Sequence, residues 1–295
     1  EKELYDFILN ETMSISEELT NVKEVGRANK WAALSLHCRA ALYAGSIAQY
    51  GRVQLDGLLG IPANEASTYY EKAYNAALTI IKESPYKLYN EDEDKVQNFK
   101  NIFLKKRNCE AIMVKQHDGP GFQNGGFSTW SWDQCECPRP QVWGLGNHHG
   151  PYLEMVEEFE YVDGTSGKFD RKALQNKLWN MDELWKGRDP RFYATILYSG
   201  ADWMDNKGRK RIYNTLDRNI NGEPNKDHRL DSRNASQTSY SICKYMKPLT
   251  QYSDINNTGL DMIVFRYAEI LLSKAEAMIE KNTDLSGATD LIDLI

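Results

Sequence analysis

The feature that most constrains this chain is a pair of helix-forming segments near its N-terminus. From Asn29 to Tyr50, apolar residues recur at three- and four-residue steps, which is the spacing of one helix face. A second apolar face runs from Ser67 to Lys82 and stops before Pro85, which cannot continue a helix. The first segment is rich in alanine and carries Gly45, and small side chains let two helix backbones approach closely. The sequence therefore predicts two closely packed helices.

Further helical segments lie at both ends of the chain. A loose helical spacing runs from Glu1 to Leu19, and an apolar stripe from Asp261 to Glu280 includes Val264. Another helix is predicted to begin near Ala288. The stretch from Trp31 to Lys82 resembles a tetratricopeptide pair, although its connecting loop is longer than that repeat normally allows.

The middle of the chain differs in composition, because Gly, Pro, Asn and aromatic residues are frequent there. Helices are predicted at Tyr152–Phe159 and Lys172–Trp185, and the β-branched and aromatic run Phe192–Tyr198 predicts a strand. The predicted fold is therefore mainly α. Tetratricopeptide-like helices over residues 1–90 and 251–295 form a helical-repeat scaffold. This scaffold carries an irregular ligand-binding insertion with short strands and helices over residues 91–250, and all three parts form one unit.

Composition excludes several classes of protein. The 36 basic and 42 acidic residues give a net charge of −6, which argues against a nucleic-acid partner. No apolar run reaches the roughly 18 residues that a membrane helix needs. The five cysteines are odd in number and cannot all pair within the chain. Because the chain begins without Met and ends in an apolar helical run, we expect a fragment of a longer protein.

The sequence contains no recognisable catalytic or cofactor motif. Nucleophile elbows, zinc-protease helices and phosphate-binding Walker loops are all absent, so we predict a non-enzymatic protein without a cofactor. Two patterns partly match metal sites. Cys135-x-Cys137 with His148-His149 has tighter spacing than usual zinc ligands, and the loop from Asp217 to His228 lacks the final glutamate of a calcium loop. We predict no metal at either.

A cluster of tryptophans in a long loop is the best candidate for ligand binding. The flat indole rings of Trp130, Trp132 and Trp143 offer apolar faces on which a sugar ring can stack. Asn124 and Asp133 are the polar neighbours that we predict to bind sugar hydroxyls. The alternative is that these tryptophans only pack the base of the loop against the scaffold, since large aromatic side chains are usually buried.

Four stretches, in order along the chain, resemble conserved elements of one protein family. They are GRANKWAAL with RAALYAG over 26–45, PYLEMVEEF over 151–159 with Asp163-Gly164, DPRFYAT over 189–195, and FRYAEILL with AEA over 265–277. The chain is similar in these stretches to the SusD/RagB family.

This resemblance implies a fold of tetratricopeptide-like pairs plus an irregular region that forms the ligand site. It implies a lipid-anchored protein on the outer membrane surface of Bacteroidetes that binds a glycan, most simply an oligosaccharide or polysaccharide. The ligand would pass to a SusC-like TonB-dependent transporter. We expect the signal, the lipidated cysteine and the first repeats to be missing from this chain. Peptide binding, or a purely protein-interaction role in the same transporter complex, is the alternative.

Overall fold

The computed structural model describes residues 1–19, 24–117, 122–123, 126–127, 132–138, 146–176, 181–204, 209–231, 236–247 and 259–295. Within these ranges the helices are α1 (Lys2–Glu18), α2 (Lys30–Tyr50), α3 (Ala66–Glu83), α4 (Lys95–Leu104), α5 (Trp132–Glu136), α6 (Leu153–Glu157), α7 (Arg171–Gln175), α8 (Met181–Trp185), α9 (Pro190–Thr195), α10 (Tyr267–Glu280) and α11 (Leu285–Asp293). The strands are β1 (Ala111–Lys115), β2 (Phe122–Gln123), β3 (Gly126–Phe127), β4 (Ile196–Leu197), β5 (Asp202–Met204), β6 (Lys210–Ile212), β7 (Asn219–Ile220), β8 (Glu223–Pro224), β9 (Ser241–Ile242) and β10 (Met262–Arg266). The predicted mainly α fold with short strands is confirmed.

The chain divides into two compact units. Unit 1 comprises Glu1–Tyr89, Arg107–Gln116 and Met262–Ile295. Unit 2 comprises Asn90–Lys106 and His117–Asp261. No helix in the described ranges combines the length and apolar character that a membrane crossing requires.

Unit 1 is a helical layer whose core forms where α2 packs between α1 and α3, with α10 against α3 and α11 against α10. The three helices predicted within the first 82 residues are present with nearly the predicted limits. Asn29 caps α2 by accepting a hydrogen bond from the amide of Ala32 at 2.9 Å. A Cβ atom at Gly45 would lie 2.8 Å from the ring of Tyr70, so the small residue permits the close contact of α2 with α3. The periodicity of small and apolar residues thus correctly indicated this packing.

The prediction of one helix over Asp261–Glu280 is wrong in its first part. Residues 262–266 form β10, which pairs antiparallel with β1, and the helix begins only at Tyr267. Val264, predicted to lie on the apolar helix stripe, lies on β10 and is 37% exposed. Residues 262–266 form a strand because β1 supplies hydrogen-bonding partners for their backbone. Strand β1 lies about 150 residues away in the sequence.

Unit 2 is built from short elements, and its helices differ from two predictions. The strand predicted for Phe192–Tyr198 is mostly helix α9, followed by the two-residue strand β4, which pairs with β9. The helix starts because Asp189 accepts a hydrogen bond from the Arg191 amide at 2.7 Å and Pro190 has a helical φ. The single helix predicted for Lys172–Trp185 is described as two, α7 and α8, with residues 177–180 outside the described ranges.

Candidate functional site

The candidate site is a cavity of about 170 Å³ in unit 2, which we call the Trp203 cavity. Helix α4, strand β5 and the segment that follows β9 form its walls. Its lining residues are Gln97, Lys100, Leu104, Asp202, Trp203, Met204, Cys243, Met246 and Lys247.

Each wall of the Trp203 cavity is held in place by local hydrogen bonds. Asp94 caps α4 by accepting from the amides of Val96 and Gln97 at 2.8 and 3.2 Å. Strand β5 pairs with β6, which places Trp203 opposite Arg211. On the third wall, the amide of Cys243 donates to the carbonyl oxygen of Thr195 at 2.9 Å. The cavity is therefore formed by elements whose backbones are fixed.

Trp203 is the aromatic side chain of this cavity. It packs against two buried apolar clusters, one that contains Tyr213 and Cys243 and one formed by Cys137 and Met246. The indole nevertheless remains partly exposed. An indole that is anchored by packing and still partly accessible offers a flat apolar surface with a defined orientation. Gln97, Lys100 and Asp202 add polar groups around it, so the cavity combines an aromatic wall with polar side chains.

Of the residues predicted from sequence, Trp132 and Asp133 lie within the described ranges. Trp132 packs against the same Cys137–Met246 pair as Trp203, and its indole N–H donates to the carbonyl oxygen of Lys244 at 3.0 Å. Its ring stacks on the imidazole of His149 with 6.3 Å between centroids. Asp133 is only 2% exposed. Trp132 begins α5.

Asn124, Trp130 and Trp143 lie outside the described residues. Their proposed contact with a ligand, and that of Trp132 and Asp133, stays a prediction. Trp132 shares its packing partners, Cys137 and Met246, with Trp203.

The cysteine and histidine pattern near residue 135 folds without a metal-like arrangement. Glu136 is fully buried, and its carboxylate accepts from the Nδ1 of His149 at 2.6 Å and from the His149 amide at 3.1 Å. Burial, reinforced by the negative charge of Asp133, raises the pKa of the Cys137 thiol well above its ordinary value. Across the described parts of the chain, no three His, Cys, Asp or Glu side chains converge as metal ligands.

The calcium-like loop from Asp217 to His228 contains a β-hairpin. Strands β7 and β8 are joined by Asn221-Gly222, whose φ angles of +53° and +85° are those of a type I′ turn. The side-chain amide of Asn225 donates to the carbonyl oxygens of Asn214 and Asp217 at 2.8 and 2.7 Å. Asn225 therefore ties the hairpin to the preceding loop.

A second, larger cavity of about 430 Å³ also uses α4, together with α6 and α9. It is lined by Phe99, Met155, Glu158, Phe159, Glu160, Asp189, Arg191, Thr195 and Lys244. Arg191 binds Asp189 through two hydrogen bonds of 2.9 and 2.7 Å. Partial burial acts to raise the pKa of Asp189, but the bonds from Arg191 outweigh it and hold that pKa below its ordinary value. Asp189 and Arg191 therefore largely satisfy each other.

Sequence reasoning missed Trp203 and Lys100 as site residues. Trp203 is an isolated tryptophan and does not belong to the cluster of Trp130, Trp132 and Trp143 that the sequence analysis selected. Lys100 belongs to helix α4, which was not predicted. One usable signal was the turn Tyr198-Ser-Gly-Ala201 before an aromatic residue, since loops and short strands on a rigid scaffold often carry binding residues.

Comparisons with known proteins agree with this architecture. A sequence model of the SusD family matches residues 109–295. A SusD-like protein from Bacteroides fragilis is 25% identical with a TM-score of 0.70, over 99% of this chain and 52% of that one. A SusD-like carbohydrate-binding protein from the same species is 20% identical with a TM-score of 0.69, over 98% of this chain and 48% of that one. A crystal structure with xylogluco-oligosaccharide is 16% identical with a TM-score of 0.60, over 99% and 49%.

The chain thus spans about half the length of the solved structures that it matches. No curated protein matches it in a direct sequence comparison.

Proposed function

Because this chain belongs to the SusD family, we propose that it captures a nutrient glycan, an oligosaccharide or polysaccharide, at the outer membrane surface. It hands this ligand to a SusC-like TonB-dependent transporter and performs no catalysis. A lipid anchor holds the protein at the membrane. The carbohydrate-binding and oligosaccharide-bound relatives named above support the glycan as ligand.

The observation that carries this proposal is the partly exposed indole of Trp203 in a cavity with polar side chains. Sugar rings present apolar C–H faces, which stack on aromatic rings, and hydroxyl groups, which need hydrogen-bonding partners. Gln97, Lys100 and Asp202 supply donors and acceptors at the Trp203 cavity.

We propose that Trp130, Trp132 and Trp143, with Asn124 and Asp133, also contact the ligand. Trp132 is partly exposed and shares packing partners with Trp203. A direct contact from Asp133 requires its buried carboxylate to become accessible on binding.

The test is native affinity electrophoresis of the full-length protein through gels that contain a panel of polysaccharides. We expect one polysaccharide to retard the protein, and Trp203→Leu to abolish that retardation because it keeps an apolar side chain but removes the flat ring. The Trp130→Ala/Trp132→Ala double variant should lose retention as well. Tyr152→Ala is the control, since Tyr152 is exposed on unit 2 and lines neither cavity.

Melting temperatures of all variants must stay within a few degrees of the parent, so that lost retention reports lost binding. Retardation that is unchanged in Trp203→Leu would contradict the role of this cavity. Release of reducing sugar by the purified protein would contradict the absence of catalysis.

A second candidate function is docking to a partner protein, and the connection between α2 and α3 favours it. Leu55 and Leu58 are 67% and 66% exposed there. The backbone that presents them is strained, with φ of +51° at Leu55 and +52° at Asp56, and such strain often marks functional loops. If this loop docks to the transporter, Leu55→Ser/Leu58→Ser should lose co-purification with the barrel and keep glycan retention.

A further inference from the structure

The charged side chains of the Trp203 cavity indicate which class of glycan it accepts. We propose that this cavity binds the uronic acid ring of an acidic glycan, with the carboxylate at Lys100 and the ring face on Trp203. This inference rests on the proposed glycan-binding function and names the substrate class within it.

The first argument is the charge balance. Lys100 and Lys247 line the Trp203 cavity against a single carboxylate, that of Asp202. Asp202 is exposed and therefore well hydrated, whereas Lys100 is half-buried on α4. The less hydrated of these charges is thus positive, which favours an anionic group on the ligand.

The second argument is that Lys100 forms no ion pair with any carboxylate in the described parts of the chain. The acids near α4 are engaged elsewhere: Glu91 and Asp92 both lie 3.7 Å from the ammonium of Lys105. Asp92 also accepts from the side-chain amide of Asn101 at 2.8 Å. Gln97, the neighbouring polar residue of the cavity, donates to Asn101 at 2.9 Å. Lys100 is therefore the cation on this helix that is left for a ligand.

The third argument is that Lys100 acts on the interior of the cavity. Burial raises the pKa of the Cys243 thiol to about 12, and the positive charge of Lys100 is the largest influence that opposes this rise. Cys243 lines the same cavity as Trp203. Lys100 and Trp203 line the same cavity of about 170 Å³, so a carboxylate on a ring stacked against the indole can reach the ammonium group.

The fourth argument is size. A volume of about 170 Å³ lies below the roughly 300–1,000 Å³ of sites that enclose a whole ligand, so the cavity accommodates one ring of a longer chain. A neutral ring in this place would desolvate Lys100 without giving it a charged partner, which weakens binding. Selectivity for the acid follows from the same contact that binds it.

The experiment compares three uronate polysaccharides, polygalacturonate, alginate and hyaluronate, each with its carboxyl-reduced form, which is a neutral polymer with the same linkages. Binding is measured by calorimetry on the full-length protein. We expect at least one native polymer to bind at least tenfold more tightly than its reduced form. Lys100→Gln should remove that preference, because it weakens binding of the native polymer and removes the cost of desolvating the ammonium group when the reduced form binds.

Lys95→Gln is the matched control, because Lys95 lies on the same helix, bonds Asn90 at 3.1 Å and does not line the cavity. This variant should keep the preference for the native polymer. In the parent protein, rising salt should reduce that preference, and at high salt the remaining preference should equal that of Lys100→Gln. If native and reduced forms bind equally, or if Lys100→Gln keeps the preference, the inference is overturned while the glycan-binding function stands. Failure of every acidic and neutral glycan to bind would instead remove the proposed function itself.

Discussion

Arg188 is a buried cation that forms no ion pair with a carboxylate among the described residues. Its side chain is 1% exposed, and its guanidinium donates to the carbonyl oxygens of Phe159, Gly167 and Val156 at 2.7, 2.9 and 3.2 Å. Four aromatic rings surround it, with the ring centroid of Tyr161 at 4.7 Å. Only a planar group with several donors can satisfy three carbonyls that approach from different directions.

We predict that Arg188→Lys destabilises the protein by roughly 3 kcal/mol or more, because a single ammonium leaves buried carbonyl oxygens without donors. Urea unfolding followed by tryptophan fluorescence measures the change. Arg191→Lys is the control, since Arg191 is exposed and its pair with Asp189 is expected to contribute less than about 1 kcal/mol. Similar midpoints for the two variants would contradict this account of Arg188.

His37 is buried in unit 1 and is neutral in the folded protein. Its Nδ1 lies 3.1 Å from the carbonyl oxygen of Leu9 and therefore carries the proton, while its Nε2 is buried and has no hydrogen-bonding partner among the described residues. Burial lowers the pKa of His37, and the charge of Lys72 adds to that effect, although the bond to Leu9 opposes it. Protonation would place a new N–H where no acceptor lies.

This lowered pKa predicts a pH-dependent stability with a definite sign. Below about pH 6.5 the unfolded chain protonates His37 while the folded chain resists it, so stability falls as the pH drops. Unfolding midpoints measured from pH 8 to pH 5 should decline below about 6.5. His37→Leu should flatten this part of the curve. An unchanged slope in that variant would assign the decline to other groups.

At the scale of elements, caps and partner strands decide between helix and strand in this chain. The run Phe192–Tyr198 has strand composition, yet Asp189 and Pro190 start a helix in it. The run Met262–Arg266 continues the apolar periodicity of a helix, yet it forms a strand because it pairs with β1. A helix cap acts on the turn next to it, whereas a strand partner can lie far away in the sequence. Only the cap can therefore be predicted from the local sequence.

We predict that Asp189→Ala lowers the free energy of unfolding by about 1 kcal/mol, because the first amides of α9 lose their acceptor. Asp189→Asn keeps a side-chain oxygen at the cap and loses only the charge of the pair with Arg191, so it should cost less than half as much. Urea titration of both variants provides the comparison. An equal loss in both would assign the effect to the ion pair and not to the cap.

At the scale of the whole molecule, unit 1 is assembled from three separate stretches of sequence. Phe265, Ile270 and Ala277, which come after unit 2 in the chain, belong to the same core cluster as the residues of α2 and α3. The chain must therefore complete residues 262–295 before this core can close.

We predict that unit 1 folds by itself once its stretches are joined directly. Lys115 pairs with Met262, so an Asn-Gly turn in place of residues 116–261 should form a hairpin between β1 and β10. The Lys87 amide donates to the carbonyl oxygen of Cys109 at 3.1 Å, so a short Gly-Ser linker can replace residues 90–106. Circular dichroism should show cooperative thermal unfolding for this chain and none for residues 1–116, which lack β10 and α10. A cooperative transition in the shorter fragment would refute the shared core.

The sequence by itself determined the helices at both ends and their packing. The three- to four-residue spacing of apolar residues in α1, α2 and α3, and the small side chain at Gly45, are local properties that survive without knowledge of the fold.

Only the tertiary structure decided the pairing of β1 with β10 and the composition of the Trp203 cavity. The cavity joins Lys100 on α4, Trp203 on β5 and Met246 after β9, which are separated by 40 residues or more. No periodicity or motif spacing in the sequence indicates that side chains this far apart in the chain lie together. Their meeting depends on how α4, β5 and the 243–247 segment are packed within unit 2, and that packing is set by contacts that a single sequence does not display.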